Sequence, residues 1–233
     1  MFLIIFYLGA ILGSFLGVLA YRLPIHEPVS FDRSRCQSCR HTLPIQALFP
    51  VFSYLAYKGM CPYCRKTIPI YHLLMELLTG GATVVAVYYA PTTLTYLIFY
   101  LLLLMSLTLS LTDILYWQVD PTLLSLFSSL SLLLSLYYNG FNWLNLLGPL
   151  VIFLLFFILD IFLKNAIGGG DIKLLLVYAY FLPLIDLTQL IFFASLSGIL
   201  FILFYSRFTH KQLTKIPFVP FLTLGLFLTL YIL

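Results

Sequence analysis

The chain is a succession of long apolar stretches separated by short polar turns. A helix that crosses a bilayer needs about 20 apolar residues at 1.5 Å rise each. Eight segments approach that requirement: residues 2–21, 71–90, 92–112, 121–138, 146–163, 172–184, 187–206 and 217–232. The sixth is short, and Pro183 and Asp186 are expected to form its turn. The runs are continuous rather than alternating, which favours helices over the strands of a β-barrel. The fourth and fifth flank an uncharged Tyr137-Tyr138-Asn139-Gly140 turn with Trp143 nearby, a composition that suits a membrane interface.

Composition agrees with the pattern. Of 233 residues, 62% are hydrophobic and 9% charged, and the mean hydropathy is +1.07. No ordinary soluble core needs that much apolar surface. The expected class is an all-α polytopic membrane protein with about eight transmembrane helices. The first apolar run has no basic residue ahead of it, since Arg22 follows it. A retained first span is therefore expected rather than a cleaved signal peptide.

The placement of the charges says more than their sum of +4. If eight spans alternate, residues 22–70, 113–120, 164–171 and 207–216 share one side. All 12 Lys and Arg then lie on that side or at its helix ends: Arg22, Arg33, Arg35, Arg40, Lys58, Arg65, Lys66, Lys164, Lys173, Arg207, Lys211 and Lys215. The positive-inside rule makes that side the cytosol. The expected organisation is a first span at 1–21, a cytosolic loop at 22–70 and a membrane-embedded core at 71–233. No internal repeat or low-complexity linker is evident.

The loop carries all four cysteines, as Cys36-Gln37-Ser38-Cys39 and Cys61-Pro62-Tyr63-Cys64. Two such pairs match a zinc ribbon, because each closes a tight knuckle and four thiolates satisfy a tetrahedral ion. Arg35, Arg40, Arg65 and Lys66 would offset the charge of an all-thiolate site. A loop of about 50 residues makes a small core and benefits from such a staple. A redox pair and merely buried thiols are the alternatives, and cytosolic placement weakens the redox one.

Two aspartates stand at the mouths of apolar helices on the cytosolic side. Asp113 closes the charge-free run Tyr96–Thr112, and Asp171 follows Gly168-Gly169-Gly170. An ionised carboxylate at membrane depth costs about 3 kcal/mol on insertion scales, so such residues are rare without a role. Each has a plainer explanation, Asp113 as a solvated helix end and Asp171 as an N-cap. Together they suit acid/base chemistry with a shared proton. The glycines allow another backbone, or a substrate strand, to approach closely. Phosphate binding is a rival use, but no Gly-Lys-Ser/Thr follows.

Other polar residues have local explanations. Glu76 is one turn after His72, and Asp160 one turn before Lys164, so i,i+4 pairs are expected. Asp120 before Pro121 starts a helix. Lys173 either acts on the Asp171 carboxylate or snorkels to the interface, and His210, Lys211 and Lys215 form a basic surface loop.

In order, spacing and sidedness these residues resemble the type IV prepilin peptidases, a family of GxGD intramembrane aspartyl proteases. The motifs are Gly13-Ser14-Phe15-Leu16 with Tyr21-Arg22-Leu23-Pro24, the two CxxC pairs, Pro69 with Glu76-Leu77-Leu78-Thr79-Gly80, Asp113, and Gly168-Gly169-Gly170-Asp171-Ile172-Lys173. The chain departs from the family pattern at Gly17, at Leu115-Tyr116 and at Asp120-Pro121. The resemblance implies catalysis by Asp113 and Asp171, with Gly168, Gly169, Gly170, Lys173 and Glu76 as substrate- or cofactor-binding candidates. It implies metal ligation by Cys36, Cys39, Cys61 and Cys64. Its expected substrates are prepilin-like proteins, cut after a Gly between a short basic leader and an apolar helix, whether for pili, secretion pseudopili or DNA uptake. Membrane lipids are the other expected partners. Many members also methylate the new N-terminus with S-adenosylmethionine, and the zinc loop, Glu76 and Gly80 are where that activity is to be sought. The competing readings are a membrane thiol oxidoreductase and a proton- or cation-coupled transporter using Asp113 and Asp171.

Overall fold

The computed structural model describes residues 1–29, 34–89, 94–163, 168–209 and 215–231. Among them are nine α-helices, and the only β pairing is two isolated bridges. The helices are α1 (Phe2–Arg22), α2 (Phe52–Ala56), α3 (Ile70–Tyr89), α4 (Leu94–Tyr116), α5 (Pro121–Asn139), α6 (Leu147–Leu163), α7 (Gly169–Phe181), α8 (Leu184–Thr209) and α9 (Val219–Tyr231).

All eight expected segments are helical, but they are not equally long. Phe2–Ile25, Ile70–Tyr89, Thr95–Tyr116, Pro121–Tyr138 and Leu184–Phe208 are long and apolar enough to cross a bilayer. Helices α6, α7 and α9, with 17, 13 and 13 residues, are shorter. Thirteen residues reach only about 20 Å, against a hydrocarbon core of about 30 Å. Thus, among the described residues, five of the eight segments have full span length.

Helix boundaries follow local chemistry. Asp120 caps α5, its Oδ1 accepting the Leu123 N–H at 2.9 Å, and Pro121 takes the first helical position. Gly140, at φ 69°, closes the same helix. Two boundaries differ from expectation. Helix α4 runs through Asp113 to Tyr116, so that aspartate lies inside the helix. Asp186 lies in the first turn of α8, and the preceding break is Leu182-Pro183. Arg33, Lys164, His210, Lys211, the Pro91 turn and the side chain of Asp160 lie outside the described residues.

The chain divides into two compact units, Met1–Pro91 and Thr92–Leu233. In the first, α1 and α3 form an antiparallel hairpin, with Tyr21 against Tyr71 at one end and Phe2 against Tyr88 at the other. Gly13 makes the close approach possible, because a Cβ there would meet the Thr79 side chain and come within 2.6 Å of the Met75 carbonyl oxygen. Between the two helices lie the 3-10 turns Leu23–Ile25 and Ile45–Leu48, the short α2 and the four cysteines. In the second unit α4 is central and buries Leu102, Leu103, Met105 and Leu109. It packs on α5 and α9, α9 packs on α8, and α6 packs on α7.

Candidate active site and cysteine cluster

Asp113 is not a solvated helix end. It is 8% exposed, and its Oδ2 accepts the Val219 backbone N–H at 3.0 Å, with the Phe218 N–H also directed at the carboxylate. These N–H groups belong to the start of α9, whose unpaired donors and helix dipole favour a negative charge. Asp171 is half-buried in the first turn of α7 and lies within the electrostatic field of Asp113. The two expected site carboxylates are therefore neighbours, one buried and anchored, the other more open.

The glycines before Asp171 play unequal parts. A Cβ on Gly170 would lie 2.9 Å from Cβ and Cγ2 of Val119, in the turn after α4. Close packing of the α7 start on that turn brings Asp171 to the end of α4 that carries Asp113. Gly168, the N-cap, faces the Asp171 carboxylate, and Gly169 faces open space. Lys173 is exposed and makes no ion pair with Asp171.

A column of buried hydroxyls continues from the carboxylates along α4. Ser110 Oγ meets Thr223 Oγ1 at 2.6 Å, and Thr223 also donates to the Ser106 carbonyl at 3.1 Å. Ser106 Oγ pairs with the Tyr178 hydroxyl. Ser106, Ser110 and Asp113 share one face of α4, at the i, i+4, i+7 spacing of a helix. Hydroxyls buried in an apolar bundle need partners, so these bonds set the register of α7 and α9 on α4.

In the first unit Glu76 is buried, and the i,i+4 pair with His72 is not formed. Its Oε2 accepts the Val51 N–H at 2.7 Å, and Ser14 bonds to the same carboxylate. His72 instead meets Gln37 Nε2 at 3.3 Å, and Gln37 also donates to the Tyr71 hydroxyl at 3.1 Å.

The four Sγ atoms of Cys36, Cys39, Cys61 and Cys64 lie within 4.8 Å of one another. The cysteines are carried on two copies of one knuckle, with Cys61 standing 25 positions after Cys36. Cys36 N–H bonds to the His41 carbonyl and Cys61 N–H to the Lys66 carbonyl, at 3.0 and 2.9 Å. Arg40 and Arg65 both have φ 55°, and bridges Arg35–Thr42 and Met60–Thr67 close the knuckles. This is a short internal repeat, contrary to the expectation of none. Burial opposes ionisation of Cys36, but N–H groups of Cys39 and Ser38 and the neighbouring thiols outweigh it and bring that thiol to about 7. The His41 backbone favours the Cys39 thiolate, yet burial and the other three thiols push it up to about 11. One thiolate is favoured and a second is penalised, the behaviour of a cluster that needs a cation before all four can ionise.

The bacterial peptidase A24 N-terminal domain matches residues 7–90, and the type IV leader peptidase family matches residues 97–203. The chain belongs to the type IV leader peptidase family. It is similar to a prepilin leader peptidase/N-methyltransferase of Bacillus subtilis, 29% identical over 95% of this chain and 90% of that protein. A protein of the same name from Myxococcus xanthus is 31% identical over 83% of this chain and 60% of its own length. The type 4 prepilin-like proteins leader peptide-processing enzyme of Escherichia coli is 26% identical over 96% of this chain and 91% of its own. No solved structure matches. The two family domains fall within the two compact units. Membership and the apolar helices identify a multi-pass membrane protein, and a leader peptidase rather than a transporter.

In this leader peptidase, sequence reasoning missed Ser106, Ser110, Tyr178, Thr223 and the Val219 N–H. Polar residues at helical spacing from each aspartate were a usable signal, at 106, 110 and 113 and at 171 and 178. Pro217 and Pro220 also mark where α9 and its free N–H groups begin.

Proposed function

We propose that the protein is an aspartic endopeptidase that removes the short basic leader of prepilin-like substrates at the cytosolic face of the membrane, with Asp113 and Asp171 as its catalytic pair. The observation that carries this reading is their electrostatic proximity at one end of α4 and α7, with Asp113 anchored on the start of α9. Two neighbouring carboxylates do not both ionise readily, so they share a proton and titrate as a pair. One activates a water, and the other protonates first the carbonyl oxygen and then the leaving amine. The openness at Gly169 supports an extended substrate passing beside Asp171.

The cysteine cluster supports a structural zinc. A tetrahedral Zn–S length of about 2.3 Å requires S–S edges of about 3.8 Å. Cys36 Sγ and Cys64 Sγ stand 3.8 Å apart. Cys36, Cys39, Cys61 and Cys64 would hold the ion, which would staple the two knuckles. The names of the relatives support N-methylation, with S-adenosylmethionine as the implied donor. Glu76 and Gly80 do not fit that group, since Glu76 is bonded to Val51 and Ser14 and Gly80 lies beneath the Phe6 ring. The cytosolic orientation rests on the one-sided distribution of Lys and Arg.

The test is cleavage of a prepilin-like substrate by the purified, zinc-loaded protein in lipid, comparing wild type with Asp113→Asn and Asp171→Asn. Expected is a cut at the leader junction that disappears in both variants while folding and insertion persist. Retained cleavage in either variant rejects the pair.

A further inference from the structure

We propose that residues 44–57, in the middle of the loop between α1 and α3, form a re-entrant segment seated among lipid acyl chains and do not stand in the cytosol beside the cysteine knuckles. The proposal rests on α1 and α3 crossing the bilayer and is independent of the catalytic pair.

Composition permits it. From Thr42 to Tyr57 there is no charged residue, whereas basic residues crowd both knuckles. An apolar stretch of about 10–14 residues is too short to span but suits a segment that enters and leaves on one side.

The contacts set its depth. The Phe52 ring lies 6.1 Å from the Tyr7 ring of α1. Tyr7 is fifteen residues before Arg22, or about 22 Å along the helix. Val51 bonds to Glu76, six residues and about 9 Å into α3 from Ile70. Ser14, which bonds to the same carboxylate, is eight residues above Arg22. A segment held at these levels of two membrane-crossing helices is below the headgroups.

Its surface fits that position. Phe52 is 66% exposed and Leu55 63%, with Ile45, Leu48 and Phe49 also exposed. Apolar groups on this scale need a cover, and the lipid-facing surface of α1, where Phe15 and Leu12 are exposed, is continuous hydrocarbon.

Much of the segment's backbone is paired internally, as hydrocarbon demands. Within the segment, Ala47 N–H bonds to Pro44, Ser53 to Phe49, Leu55 to Val51 and Tyr57 to Ser53. At the turn, Val51 adopts φ 63° and ψ −54°, a strained conformation for a β-branched residue. The N–H it turns away from the segment is the one Glu76 accepts. A backbone donor in lipid without a partner is strongly disfavoured, so Glu76 holds the turn at depth.

The test uses the full chain in lipid vesicles with Trp117→Phe and Trp143→Phe, carrying one new tryptophan at a time. Phe52→Trp and Leu55→Trp are compared with Phe15→Trp on α1 and Tyr63→Trp on the second knuckle. Expected are blue-shifted emission and quenching by acyl-brominated lipid at positions 52 and 55, comparable with position 15. Aqueous iodide should quench only position 63. Iodide quenching at 52 and 55 overturns the proposal, and so does protection from both quenchers, which would mean a protein cover. Two reporter positions guard against one disturbing the fold.

Discussion

The backbone N–H of Val219 donates to Oδ2 of Asp113 at 3.0 Å, tying the carboxylate of α4 to the first residue of α9. This bond can be deleted without deleting the helix. Proline is well tolerated at a first helical position, and it lacks the N–H. Hydrogen bonds to charged groups contribute about 1.5–3 kcal/mol, so Val219→Pro should lower kcat for leader cleavage by about ten- to a hundredfold. Val219→Ala, which keeps the N–H, should stay near wild type. Steady-state kinetics on both variants checks this, and equal losses would show that the side chain matters instead.

The hydroxyl pair Ser110–Thr223 couples α4 to α9. Thr223→Val and Ser110→Ala should each lower stability by about 0.5–1.5 kcal/mol by removing the bond between the helices, the remaining hydroxyl keeping a backbone carbonyl acceptor. The double variant should lose less than the sum, because both single variants remove the same shared bond. A double-mutant cycle of unfolding in detergent measures the difference.

Packing against Gly170 and against Gly169 should separate. Gly170→Ala places a methyl 2.9 Å from Val119 and should displace Asp171, lowering kcat strongly. Val119→Ala should restore part of the rate by removing Cγ2. Gly169→Ala meets no neighbour within 4 Å, so an effect there would appear in KM and report the substrate.

The α1–α3 contact offers a matched pair. Gly13→Ala collides with Thr79 and the Met75 carbonyl, and overpacking of this kind costs about 1–3 kcal/mol. Gly81→Ala, on the same hairpin, meets nothing within 4 Å and should be neutral or slightly stabilising. Thermal unfolding of the two variants in detergent reads the contrast.

Metal removal should act locally. Cys61→Ser, or treatment with a strong chelator, should abolish bound zinc, from about one ion per chain to none, and expose the knuckles to protease. Helices of the Thr92–Leu233 unit should keep their hydrogen-exchange protection. Metal analysis and exchange mass spectrometry test both halves of this expectation.

Much of this protein is legible along one dimension. Hydrophobicity is a sum over neighbouring residues, so the eight helical segments can be read directly. The CxxC spacing encodes its knuckles locally, because each closes within eight residues, and the cluster of four follows from their repetition. The motif Gly168-Gly169-Gly170-Asp171 likewise marks a helix start and a carboxylate.

Partnerships between distant residues were not legible, because they depend on register and depth. Val219 reaches Asp113 across 106 positions, and Ser110 reaches Thr223 across 113. Nothing in either short stretch says which turn of which helix it will meet. The same is true of Glu76, whose nearest sequence partner is His72 but whose actual partners are Val51 and Ser14. The stretch from Thr42 to Tyr57 reads as loop because its prolines and broken turns erase helical periodicity. Its level on the α1–α3 hairpin is set by a strained turn bonded to a buried carboxylate. Chain pattern determines which pieces seek hydrocarbon; only the packed structure determines which polar groups can be satisfied there, because an N–H or carboxylate in that medium must find its partner across space.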